Sequence, residues 1–268
     1  MNKEELKQTM MNAEEQIHEE IKNLYPNSSV GLDGIVSIND YLDLEHSETK
    51  PLKILWILKE RKFYNNTINY LSVFMKCLGE YKSWKKTYGP MCWITEGILE
   101  WQRTNDEKFL EFKNLFDLRV ASVSEGRAVY YNLENKKDGY QVFPIDHIAF
   151  LNIKKLGSPK NKSNQGIINA EYQKTEVKKI LKKQFDYIDA DIIILGNHVV
   201  KLAEDLAGVP ISKYTHVGEY GAHDYYFDNA RNKLFIFADH PSRPGNKEEY
   251  CNSIFNIIKK FSNELLGD

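Results

Sequence analysis

Cysteine is scarce. The chain has 3 in 268 residues, at Cys77, Cys92 and Cys251, far apart and without a CxxC pair. That excludes a disulfide framework and the four thiolates that an iron–sulfur cluster usually needs. A reducing, cytoplasmic setting is the expectation. Long apolar runs are also missing. The longest, such as Ile192–Leu195 and Leu234–Ala238, fall far short of the ~20 residues of a membrane span. The N-terminal MNKEELKQTMMNAEE carries no apolar core of the kind a signal peptide has. Nor is there an excess of one charge: 36 basic residues face 38 acidic ones, a net charge of −2. This excludes a chain that is basic overall but leaves room for a local basic patch. No repeat or low-complexity linker interrupts the sequence.

What is present is an α/β pattern. Leu6, Met10, Ala13, Ile17, Ile21 and Leu24 recur at helical spacing and predict an N-terminal helix over about 3–24, closed by Tyr25-Pro26. Four short runs follow: Lys53–Leu58, Ile148–Ile153, Asp191–Leu195 and Leu234–Ala238. They are rich in branched or aromatic residues and do not alternate, as strands covered on both faces do. Helical stripes separate them, including Val177, Ile180, Leu181, Phe185 and Ile188, and then Ile254, Ile257, Ile258, Phe261 and Leu265. Residues 65–80 and 106–116 also read as helices. His223–Phe227 and Lys233–Ala238 read as a hairpin around Asp228–Asn232. Strands alternating with helices predict a mainly parallel sheet between two helical layers. Spread over the chain, they make 1–268 one domain, large enough to bury roughly three quarters of its extended surface.

In such sheets ligands sit outside the carboxyl ends of the strands. The polar residues there are Lys59–Tyr64, then Asn152, Lys154 and Lys155, then Gly196-Asn197-His198, then Asp239–Pro244. Asn152 stands inside an apolar strand. Its amide needs a partner, either a neighbouring loop or a ligand, because leaving it unpaired costs about 1–3 kcal/mol.

Taken in order, Ile54–Glu60, Phe150–Lys154, Ile192–Gly196 and His240-Pro-Ser-Arg-Pro244 resemble the motifs of the uracil-DNA glycosylase superfamily. The resemblance implies a three-layer αβα sandwich with a central, mainly parallel four-stranded sheet. It implies hydrolysis of the N-glycosidic bond of a damaged or modified base flipped out of DNA. Glu60 matches the position that orients the attacking water. Asn152 matches the residue that reads the base, and His240 the one that stabilises the departing base. Ser242 to Pro244, including Arg243, match the segment that enters the duplex, and Phe63 or Tyr64 would stack on the base. Lys59, Arg61 and Lys62 on one loop, and Lys154 and Lys155 with Lys160 and Lys162 on another, would meet the DNA backbone. Leu58 and Arg61 stand where the family usually has Gly and Pro, and Glu60 is one methylene longer than the usual Asp. The cysteines of the cluster-binding branches are absent, so no cofactor and no metal is implied.

These residue types suit the chemistry. Glycosidic cleavage develops positive charge on the sugar, which a carboxylate stabilises, and negative charge on the base, which a histidine donor stabilises. The base must leave the stack to be reached. DNA is the expected partner, a membrane is not, and a monomer is the simplest expectation. Two other readings stand beside this one. The first is a nucleic-acid-binding module of the same fold without activity. The second is a metal-dependent hydrolase using His198, His223, Asp224, Asp239 and His240, although no HxH or HExxH spacing supports it. The stretch of about 90 residues between the first two strands, with Trp84, Trp93, Trp101, Tyr130, Tyr131 and Tyr140, reads as core with material for a pocket.

Overall fold

The structure, a computed structural model, describes residues 2–42, 51–60, 68–69, 82–115, 144–156, 170–196, 200–208 and 223–267. Of the residues at 59–60, 68–69, 82–86, 200–201 and 207 it describes the backbone only. The strands are β1 (Gly31–Leu32), β2 (Gly34–Ile35), β3 (Ile54–Glu60), β4 (Ile68–Asn69), β5 (Ile148–Lys154), β6 (Ile192–Leu195), β7 (Asp224–Asp228) and β8 (Lys233–Phe237). The helices are α1 (Lys3–Leu24), α2 (Ile38–Tyr41), α3 (Lys82–Thr104), α4 (Thr175–Ile188), α5 (Val200–Ala207), α6 (Lys247–Lys260) and α7 (Ser262–Leu266).

Among the described residues the sheet is mixed and six-stranded, in the order β2-β5-β3-β6-β8-β7. Its four central strands run parallel, and β2 and β7 close the two edges antiparallel. The expected count of four is thus corrected to six. One of the added strands, β7, is the first arm of the predicted hairpin. The other, β2, is only two residues long, too short to leave a periodic signal. A separate parallel pair joins β1 to β4. That pair corrects the helix expected over 65–80 at Ile68–Asn69; the rest of that stretch lies outside the described residues.

Both faces of the sheet are covered, which explains the unbroken apolar runs. Ile54, Trp56 and Leu58 of β3 face one core with Ile148, Phe150, Ile192, Ile194, Leu234 and Ile236. Leu55 and Ile57 face the other with Leu151, Ile153, Ile193, Leu195, Phe235 and Phe237. The first core packs against α3 and α6, the second against α4 and α5. The α4 stripe is Val177, Ile180, Leu181, Phe185 and Ile188, with Gln184 buried among them. In the last stripe α6 stops at Phe261, which stacks on Phe227 at 4.6 Å, and α7 carries Leu265.

Two helical segments depart from the pattern. Residues 107–115 form two 3-10 turns, Glu107–Leu110 and Phe112–Leu115, in place of the expected α-helix over 106–116. The chain is extended at Glu111 between them, with Asp106 capping the first. The long helix α3 runs through Pro90 and past Gly89 and Gly97, residues that ordinarily break a helical pattern. Packing overrides propensity here: Met91, Cys92, Ile94, Ile98 and Trp101 are all buried against the sheet.

Gly97 marks the closest approach. A Cβ there would sit 2.7 Å from the Phe109 carbonyl oxygen and 2.7 Å from Phe255. Gly97→Ala should therefore cost about 1–3 kcal/mol through overpacking, read as a lower urea midpoint with unchanged slope.

Helix α1 begins with a capping box at Asn2 and Glu5 and docks through Met10, Ile17, His18 and Ile21. Glu14 docks with them. Its Oε1 accepts from the Ile35 amide at 3.0 Å and from the Tyr187 hydroxyl at 2.8 Å. The contact is so close that a Cβ on Gly34 would lie 2.2 Å from Glu14 Oε1. Burial, helped by the nearby Asp33 charge and opposed by the two hydrogen bonds, pushes Glu14 from 4.5 up to about 7. A carboxyl raised in this way takes up a proton on folding. Its stabilising contribution is complete below about 4.5 and is lost as pH rises to about 7. Glu14→Gln keeps the acceptor and removes the charge. The variant should melt higher than the parent at pH 8, and the difference should vanish by pH 4, in thermal scans across that range.

Candidate functional site

The parallel strands define where a ligand would sit. The chain passes from β3 to β5 on one side, then returns across β3 to β6 and β8 on the other. The carboxyl ends of β3 and β6 therefore flank the point where the connections diverge, the usual position of a crevice in such sheets.

Glu60 is the last residue of β3 and pairs in register with Lys154; Leu58, two residues earlier, pairs with Asn152. Only the backbone of Glu60 and Lys59 is described. On the far side, Leu195 pairs with Phe237, and the chain continues through Ala238 and Asp239 to His240. The backbone thus brings Glu60, Asn152 and His240 to one edge of the sheet. From β5 to β8 is three strand spacings, ~14 Å, so Asn152 and His240 stand on opposite sides of the β3–β6 switch point. Arg61, Lys62, Phe63, Tyr64, Lys160, Lys162, Asn197 and His198 lie outside the described residues.

The loop after β8 is pinned by α6. The Tyr250 hydroxyl donates to the Asp239 carbonyl at 3.0 Å, and Lys247 Nζ to the Pro241 carbonyl at 2.6 Å. The Arg243 amide closes a turn on the His240 carbonyl at 2.8 Å. Within this loop the Ser242 amide donates to His240 Nδ1 at 3.2 Å, with Ser242 Oγ at 2.8 Å from the same nitrogen. A backbone N–H can only donate, so Nδ1 is the acceptor and the neutral ring carries its proton on Nε2. Ser242 is half-buried behind His240, and Arg243 is exposed.

The ends of β3 and β6 pack closely. Gly196 donates its amide to the Ile57 carbonyl at 2.9 Å. A Cβ on Gly196 would come within 2.9 Å of Leu58 and 3.3 Å of Pro241. Leu58 therefore fills the space between the ends of β3 and β6.

Asn152 meets its need for a partner in a loop. Its backbone amide donates to Asp33 Oδ2 at 2.8 Å and its Nδ2 to the same oxygen at 3.2 Å. Asp33 lies just beyond the last β2–β5 pair, Gly34 with Phe150, and its carboxylate takes over where the ladder ends. The other oxygen, Oδ1, accepts from Lys155 Nζ at 2.5 Å and Gln184 Nε2 at 3.0 Å. Neither Asp33 nor Lys155 is exposed, at 0% and 1%. Burial pulls the Lys155 ammonium down from its ordinary value, and the Asp33 charge works against that. His18 Nε2 lies 3.2 Å from the Asp33 carbonyl. Desolvation holds this imidazole below its ordinary value.

Lys155 is accordingly corrected as a DNA-backbone residue. Its ammonium is committed to a buried carboxylate and does not reach solvent. Lys154, 5% exposed at the end of β5, is likewise buried, so it presents little cation to a phosphate. The residue that sequence reasoning missed is Asp33. In Gly31-Leu-Asp-Gly34 it reads as a turn residue, and nothing local signals its burial.

Among the described residues no group of three or more His, Cys, Asp or Glu could hold a metal ion. His223 is buried edge-on to Tyr250 at 5.4 Å between ring centroids. Among the described residues no helix is long and apolar enough to cross a membrane. Comparison with protein-family profiles, curated proteins and solved structures gives no match.

The ion pair predicts an asymmetry. Lys155→Met strands the Asp33 carboxylate in the interior and should cost about 3–5 kcal/mol. Replacing both partners by neutral groups, in Asp33→Asn with Lys155→Met, should cost less than the single change. Urea denaturation of the two variants checks it.

Proposed function

We propose that the protein is a DNA glycosylase that hydrolyses the N-glycosidic bond of a damaged or modified base flipped from DNA. The observation that carries this reading is the common edge. Glu60 ends β3, Asn152 stands two residues before the end of β5, and His240 follows β8, all on the carboxyl side of the parallel strands around the β3–β6 switch point.

Each group has a role that its chemistry suits. Glu60 orients water and stabilises positive charge on the sugar. His240, with its proton on Nε2, donates to the base as it leaves with negative charge. Ser242 is a positioning residue that fixes the tautomer. Asn152 reads the edge of the base. Arg243 and the neighbouring Ser242 enter the duplex beside the flipped nucleotide, with Phe63 or Tyr64 against the base and Lys59, Arg61 and Lys62 on phosphates.

Single-turnover formation of abasic sites in DNA carrying damaged or modified bases tests this. Glu60→Gln should slow the chemical step by ~10²–10⁴ and His240→Ala by ~10²–10³, with DNA affinity kept. Unchanged rates would refute both roles.

One observation favours a second reading, a binding module of the same fold without activity. Leu58, buried against Gly196 between the ends of β3 and β6, occupies room that a base would use. Salt-dependent DNA binding with no base release from any substrate, unaffected by Glu60→Gln, would select it.

A further inference from the structure

The buried carboxylate next to Asn152 has a consequence for what the site can read. Asn152 is 5% exposed, and two of its hydrogen bonds go to one oxygen of Asp33. An ionised carboxylate accepts and never donates. A flipped amide would set the Asn152 carbonyl oxygen against Asp33 Oδ2, lone pair to lone pair. The chemistry of Asp33 thus assigns the amide: Nδ2 towards Asp33 and, since the amide is planar, Oδ1 directed away from it.

Asp33 itself has no freedom to turn. Lys155 Nζ and Gln184 Nε2 hold its other oxygen. Gln184 Nε2 and His18 Nε2 also hold its backbone carbonyl, at 3.0 Å and 3.2 Å. These partners come from the residue after β5, from α4 and from α1, which meet at the same edge. The arrangement fixes the orientation of one side-chain amide at the candidate site, and it does so from the interior.

We infer that Asp33 is a positioning residue for Asn152, locking its amide so that the site offers a hydrogen-bond acceptor, Oδ1, to a ligand edge bearing an N–H donor. The inference rests on the reading of Asn152 as the base-reading residue. It goes beyond that reading in naming what sets the polarity of the contact and which buried groups enforce it. A ring nitrogen with only a lone pair at that position would meet Oδ1 as a second acceptor and be rejected. Loss of the Asp33 acceptor frees the amide to turn, and the preference between the two kinds of edge then relaxes.

The test uses the full-length protein and two variants, Asp33→Ala and Asp33→Ala with Lys155→Met; the second avoids a stranded lysine if the first fails to fold. The first readout is the Asn152 side-chain NH2 pair in ¹H–¹⁵N spectra. In the parent, one of its two protons should be shifted downfield and exchange slowly; in a folded variant this signature should be lost. The second readout is the ratio of base release from oligonucleotides whose target base bears an N–H or a bare ring nitrogen on its pairing edge. That ratio should fall about tenfold or more in the variants, with circular dichroism unchanged. A folded variant that keeps the NH2 signature, or keeps the ratio, overturns the inference. Loss of the signature together with no base release by the parent supports the positioning role and overturns the glycosylase reading.

Discussion

A carboxylate without solvent exposure, Asp33, ties together the outer edge of the sheet. It receives hydrogen bonds from the backbone and side chain of Asn152, from Lys155 and from Gln184. Taking two charges out of water is expensive, several kcal/mol for each ion. Only a complete set of partners makes it tolerable. The location is what gives the network its importance. It sits where β2 stops pairing with β5 and the ladder would otherwise leave an unsatisfied amide. It also lies where α1 and α4 meet, so the N-terminal helix, the edge strand and the candidate site share one electrostatic anchor. Glu14, one helical turn from His18, adds a proton-sensitive contact to the same seam.

The two sides of the candidate site are built on different principles. On the β5 side, the orientation of Asn152 comes from burial and from the Asp33 carboxylate. On the β8 side it comes from a short loop held by α6, in which Tyr250 and Lys247 fix the backbone and Ser242 fixes the imidazole. For the proposed reaction, in which charge develops in a known place, two groups held in this way are suited, because preorganised dipoles need not rearrange. Between them Leu58 packs against Gly196.

The central strands were legible because burial on both faces leaves a local signature: Ile192–Leu195 is apolar at every position. The same holds for α4, whose stripe repeats at helical spacing. Other elements were illegible for stated reasons. Pro90, Gly89 and Gly97 disguise α3, and the helix persists because Met91, Cys92 and Ile94 are buried behind it. Two-residue strands such as β2 carry no period. At the site, the carboxyl-edge rule and the oddness of an amide in an apolar strand were enough to single out Asn152. Its partner was not, since Asp33 is 119 residues away and looks like any turn aspartate. The same blindness made Lys155 look like a surface cation. Burial is set by tertiary packing, and a lysine after a strand carries no mark of which way it turns.

On the proposed reading, the carboxyl ends of β3, β5 and β8 form one nucleic-acid site around a flipped nucleotide. Amide hydrogen exchange with and without an oligonucleotide carrying a cationic abasic-sugar mimic tests it most directly. Added protection is expected at the ends of β3 and β5 and in the loop from Asp239 to Asn246, with little change along α4 or α6. Protection confined to other surfaces, or none at saturating oligonucleotide, would contradict it.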